Sequence, residues 1–124
     1  MLVYRITNQS LVGVYRAIYS ETLPSHLAEI LKSMGEEHSD METHPSGFYD
    51  NIPNYSSDCF FGCDSLEKLL AWFDAYLLMF EELNYIICVY DAPVVNFGDS
   101  KKQVTFDVTK ATLVKKLPIS AAYE

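Results

Sequence analysis

Cys59 and Cys63 stand with three residues between them, and His38 and His44 lie in the stretch before them. Two thiolates and two imidazoles form a zinc donor set, so a Cys2His2 site is geometrically conceivable. Structural zinc sites use tighter paired spacings, and Phe60 and Phe61 between the cysteines read as core residues, so the expectation here is two buried thiols. His38, Asp40, Glu42 and His44 would suit a metal by type, but alternating acids and imidazoles also describe a solvated loop, and the loop without metal is expected. A cysteine nucleophile served by His44 or His26 needs an oriented base and a lowered thiol pKa, which spacing does not supply. GxSxG, HExxH, GxGxxG and phosphate-loop patterns are absent, which leaves the common hydrolase, zincin and nucleotide-fold assignments without support.

Two further sets of residues bear on binding. Arg5 lies in the first apolar stretch, where a cation either runs its stem to the rim or points into a cleft; the rim is expected. Tyr4, Tyr49, Tyr55, Tyr85 and Tyr90 are rigid and amphipathic, suited to a ligand pocket or a protein-binding patch, although several must serve as core.

The elements that must position these groups follow from periodicity. Leu2, Tyr4 and Ile6 alternate with Val3, Arg5 and Thr7 as in a half-buried strand, and Asn8-Gln9-Ser10 supplies a turn. Val12, Val14 and Ile18, with Tyr15 and Tyr19 interleaved, read as an extended or irregular apolar segment. Leu23, Leu27, Ile30, Leu31 and Met34 fall on one helical face, with Pro24 in the first turn and Gly35 as a stop, which predicts a helix over about 23–34. Periodicity is lost over 36–58, a long loop and for that reason the first place to seek a site. Asp64 and Glu67 suggest a capping box opening a second helix through Leu66, Leu69, Leu70 and Phe73, with Trp72 at its edge. A further helical stretch carries Leu77, Phe80 and Leu83 after a break at Asp74, ended by a left-handed Asn84. Tyr85–Tyr90 is nearly continuous in β-branched and aromatic residues, a central strand covered on both faces, and strands follow over 103–106 and 112–117. This order predicts a single α+β domain over residues 1–124, with a small, mostly antiparallel sheet and two to three helices packed on one side.

Composition narrows the partners. The chain has 17 acidic and nine basic side chains, a net charge of −8, which argues against direct nucleic-acid binding and for solubility or association with basic partners. No apolar run approaches the length of a membrane span, and the N-terminal residues lack the pattern of an export signal, so a cytoplasmic protein is expected. Three cysteines make an odd set, expected to stay thiols in a reducing compartment.

Tyr4-Arg5, His44-Pro45, Phe61-Gly62, Ser65-Leu66 leading into Trp72-Phe73, Val89-Tyr90 and Gln103-Val104-Thr105-Phe106 together resemble small uncharacterised proteins encoded by bacteriophages and prophages. That resemblance implies a mobile-element origin and a role against host defence, as in anti-CRISPR proteins. A second likeness is to ADP-ribosyltransferase-type domains, which hold NAD with a basic or imidazole residue on an early strand and carry a glutamate on a late strand; Arg5 matches the first position, while Gln103 stands at the second. Two functions are therefore expected. The first is a non-enzymatic inhibitor in the host cytoplasm that uses no cofactor and docks an acidic, tyrosine-rich surface (Glu36, Glu37, Asp40, Glu42, Tyr49, Asp50, Tyr55) onto a host protein with a basic surface. The second is an NAD-binding or NAD-using domain with Arg5, His44 and Gln103 at the ligand.

Overall fold

The computed structural model describes residues 1–38, 52, 59–93 and 95–123. The element order is β1 (Leu2–Thr7), α1 (Val14–Ser20), α2 (Ser25–Glu37), β2 (Cys59–Gly62), α3 (Leu66–Trp72), α4 (Leu77–Glu82), β3 (Ile86–Asp91), β4 (Val95–Phe97), β5 (Val104–Asp107) and β6 (Thr112–Pro118). The α+β class holds, with the strands divided between two antiparallel sheets of order β1-β3-β6 and β2-β5-β4. A bridge between Tyr4 and Cys63 joins the sheets through two backbone hydrogen bonds of 2.8 Å. Gly62 makes that approach possible, since a Cβ there would run into Val3 Cγ1 and the Tyr4 carbonyl.

Alternation along β1 and β3 assigns their side chains to two cores. Ile6 and Ile87 face the helices with Ala17, Ile18, Leu31, Met34, Leu69 and Phe80. Val3, Cys88 and Tyr90 face the second sheet with Val104 and Phe106. The central strand is thus buried on both faces, as its unbroken hydrophobicity predicts. Arg5 shares the side of Val3 by the same alternation, so a cation is built into an apolar layer.

Several boundaries differ from the sequence-based expectation. The segment expected to be extended forms α1, because Val14, Ala17 and Ile18 sit at the i, i+3, i+4 spacing of one buried helical face. Helix α2 does not stop at Gly35 but continues to Glu37, so that Met34 and His38 are buried at its end; that packing outweighs a glycine penalty of about 1 kcal/mol. The N-cap of α3 is Ser65, whose hydroxyl accepts from the Lys68 amide at 3.1 Å, while Asp64 pairs with the Lys68 ammonium at 2.9 Å. The break at Asp74 is present as a 3-10 turn, and Asn84 adopts the expected left-handed conformation with φ 59°. Strands β2 and β4 were not anticipated; each is too short for an alternation signal and is fixed by pairing with β5. No helix among the described residues is long and apolar enough to cross a membrane.

Candidate functional site

A cleft of about 610 Å³ opens between α1 with its preceding turn on one side and β2 with α3 on the other. Both arginines of the chain, Arg5 and Arg16, line it, and no carboxylate does so among the described residues. In a chain with nearly twice as many acids as bases, that is a local reversal of sign.

Arg5 does not reach the rim as expected. It is only 9 % exposed, because β1 directs it into the layer between the sheets. Its Nη1 donates to the Phe61 carbonyl at 3.1 Å, and its guanidinium lies 4.3 Å over the Phe60 ring. Its Nε is buried without a hydrogen-bond partner. Burial pushes its pKa below the ordinary value, opposed by the nearby Tyr90 and Cys88 groups, and no carboxylate among the described residues pairs with it. A guanidinium stays protonated under such conditions, so the cleft contains a buried cation without an ionic partner among the described residues.

An aromatic cluster shares the cleft. The Trp72 indole N–H donates to the Tyr15 hydroxyl at 2.6 Å, and that hydroxyl lies 2.7 Å from His38 Nδ1. The Tyr15 hydroxyl thus joins the indole and the imidazole in one hydrogen-bonded chain. The rings of Tyr15, Phe73, Trp72 and Tyr76 surround His38 at centroid distances of 5.5–5.9 Å. Although Tyr15 is 37 % exposed as a residue, desolvation raises its phenol pKa well above the ordinary range, against the lowering effect of the Trp72 hydrogen bond.

Cys63 also lines the cleft, and burial pushes its thiol up to about 12, with Asp64 adding to the rise. That shift is opposite to the lowered pKa that activates a cysteine nucleophile. Cys59 is half-buried rather than buried, and Phe61 is exposed at the cleft rather than in the core, because alternation along β2 turns only Phe60 toward Phe106. His38 is buried at the end of α2 instead of lying in a solvated loop, and His26 is exposed and pairs with Glu82 at 2.9 Å. Among the described residues, no three His, Cys, Asp or Glu side chains gather as a metal site.

The structure brings Arg5 and Gln103 to one cleft. His44, Asp40, Glu42, Tyr49, Asp50 and Tyr55 lie outside the described residues. Glu36 and Glu37 belong to the last turn of α2. Tyr85 and Tyr90 are core, 3 % and 5 % exposed, and Tyr4 is half-buried against the helical core, whereas the exposed tyrosines among the described residues are Tyr15 and Tyr19. Tyr15, Arg16 and Trp72 were not singled out from the sequence as binding residues; the signal available was that the only tryptophan and the second arginine occur in otherwise apolar segments.

No curated protein and no solved structure matches the chain. A model of one family, described as the bacteriophage T4 Y00F protein, matches residues 1–120. The chain, with its cationic aromatic cleft, belongs to this phage protein family.

Proposed function

We propose that the protein acts by binding rather than by group transfer, and that the cleft over Arg5 takes an anionic ligand with a planar ring, of the nucleotide class that the transferase likeness represents by NAD. The buried, ionically unpartnered Arg5 in a cleft without described carboxylates carries this reading. A ligand phosphate would receive a charge-assisted hydrogen bond from that cation, and the Tyr15 and Trp72 rings offer stacking surfaces fixed by their hydrogen bonds to each other and to the buried His38. The volume falls within the range of small-molecule sites. Binding without turnover is favoured because Gln103 is neutral where the transferase pattern has a carboxylate, and an amide cannot stabilise an oxocarbenium-like transition state as a carboxylate does.

Trp72 is the only tryptophan, so ligand entry has an intrinsic reporter. Titration with NAD, ADP-ribose and AMP should change its fluorescence saturably, and Arg5→Met should weaken binding about a hundredfold. Absence of any response to all three at millimolar concentration overturns the ligand reading; release of nicotinamide from NAD overturns the binding-only part.

A second reading is favoured by the distribution of charge. Residues 21–82 contain 13 of the 17 carboxylates against Lys32 and Lys68 alone. Glu29, Glu67, Asp74, Glu81 and Glu82 are exposed, as is Tyr19. These acidic helices would dock onto a host defence protein with a basic surface, in the manner of an anti-CRISPR inhibitor in the host cytoplasm, with Glu36, Glu37, Asp40, Glu42, Tyr49, Asp50 and Tyr55 as contacts. Membership of a phage family supports that role. Retention of a stoichiometric host partner at low salt and its loss at high salt would support it, while salt-independent retention would count against it.

A further inference from the structure

Two unfavourable features of the fold lie side by side. The first is the unpartnered Arg5 Nε. With Nη1 committed to the Phe61 carbonyl, the Nε–Nη2 edge is the remaining two-donor fork, the geometry that takes a phosphate or carboxylate side-on. The second is Leu11, whose φ of 67° places a branched side chain in the left-handed region. Leu11 and Gly13 line the cleft with Arg5. Gly13 lies so close to the guanidinium that a Cβ on it would overlap Nη2, so the turn abuts the Nη2 end of the unused fork.

The turn is held in that state by Asn8. Its side-chain oxygen accepts from the Ser10 and Val12 amides, each at 2.9 Å, and its own amide donates to the Val12 carbonyl at 2.9 Å. The Leu11 amide donates to the Asn8 carbonyl at 3.1 Å. Its Nδ2 is anchored on Glu21 at 2.6 Å, and Glu21 in turn accepts from the Tyr85 hydroxyl at 3.0 Å. Strain of this kind persists only where surrounding bonds over-determine the backbone, and here they do so beside a guanidinium whose Nε has no hydrogen-bond partner.

We propose that the Asn8–Gly13 turn is a strained clasp over the Arg5 fork, and that an anionic group of the ligand seats on Nε and Nη2 as the turn opens and Leu11 leaves the left-handed conformation. The proposal rests on the ligand reading above and adds to it the site of anion contact and a built-in control of affinity. Relief of strain at Leu11 and satisfaction of Arg5 Nε both then favour the bound state, because each penalty exists only in the closed one.

Leu11→Gly and Gly13→Ala test the clasp in opposite directions. Glycine removes the left-handed penalty from the closed turn, so Leu11→Gly should melt higher and bind ADP about fivefold more weakly, read by Trp72 fluorescence. Gly13 has an ordinary negative φ of −61°, so alanine adds only bulk against Nη2; Gly13→Ala should melt lower and bind ADP more tightly. Inorganic pyrophosphate should follow the same order, since the clasp acts on the anion and not on the ring. Equal ADP affinity in Leu11→Gly and the wild type, with Arg5→Met still defective, overturns the clasp alone. Failure of the wild type to bind either ADP or pyrophosphate overturns the ligand reading and the clasp with it.

Discussion

Arg5 and the lysines of β6 carry the same charge in opposite surroundings. Arg5 is buried, its Nε is unsatisfied and its pKa is depressed by desolvation. Lys115 and Lys116 are exposed on a strand that, among the described residues, pairs only with β3 and lies at the edge of its sheet, with a register shift at Val89/Tyr90. A bulge and lysines on a free edge prevent unwanted strand pairing at almost no energetic cost. A buried, unpaired cation is costly to the fold, and a small domain retains such a group where a ligand makes use of it. The contrast separates charge that protects the fold from charge that the fold tolerates at its own expense.

The largest expected effect exploits that difference. Arg5→Met keeps an unbranched apolar stem in the layer beside Phe60 while removing the guanidinium and its buried charge, so it should raise stability to urea by about 1 kcal/mol even as it weakens ligand binding about a hundredfold. Stabilisation together with loss of function would establish that Arg5 is kept for the ligand. A destabilisation of several kcal/mol would instead make its bond to Phe61 and its contact with Phe60 structural, and the contrast with the lysines would collapse.

Tyr15→Phe removes the acceptor of the Trp72 N–H and the hydroxyl facing His38 Nδ1. It should cost about 1–2 kcal/mol through the groups left unsatisfied, with weaker binding of nucleosides and unchanged binding of pyrophosphate. Equal weakening of both probes would merge the aromatic and cationic parts of the cleft into one unit.

The sequence made the central strand and the α+β class legible because they depend on local runs: six apolar residues before Asp91, helical spacing from Leu23 to Met34, and Asn84 where a left-handed residue ends a helix. The cleft was less legible because its walls come from α1, β2 and α3, and two of these were not recognised. Val14 and Ile18 carry β propensity, so only their packing against Ala17 and α2 selects a helix. Cys59–Gly62 becomes a strand only because β5 pairs with it. Arg5 was noticed as a cation in a strand, but its depth depends on which face of β1 meets the second sheet, and a six-residue alternation cannot reveal that. Trp72 was placed at a helix edge without its partner Tyr15, which is 57 positions away.

Alkaline titration sharpens the comparison from a neighbouring group. Cys63 lines the same cleft as Arg5 and Arg16, and a dominant cationic field would lower its pKa; burial instead raises it from 9.0 to about 12. Its folded pKa is above its unfolded one, so the stability it contributes is complete below about pH 9 and is lost as pH rises toward 12. Tyr15, Tyr85 and Tyr90 are shifted in the same direction and add to the decline above their ordinary value of 10.0. Cys63→Ala should flatten the part of the stability profile between pH 9 and 10, measured by urea titration at each pH. An unchanged slope would mean that the thiol ionises as freely in the folded protein as in the unfolded chain.

The smallest effect on stability, and the clearest on behaviour, is expected at the edge strand. Replacing Lys115 and Lys116 together by Val should leave the unfolding free energy within about 0.5 kcal/mol, since exposed charges contribute little and valine suits a strand. The same change makes the protein two charges more negative, so if net charge governed association, the variant would be the more monomeric. If the lysines act locally by blocking the β6 edge, association should increase despite the greater repulsion, visible as a dimer or larger species by light scattering. Self-association of the variant would place the lysines in edge protection, whereas a monomeric variant with weakened ADP binding would return them to the cationic field of the cleft and erase the distinction from Arg5.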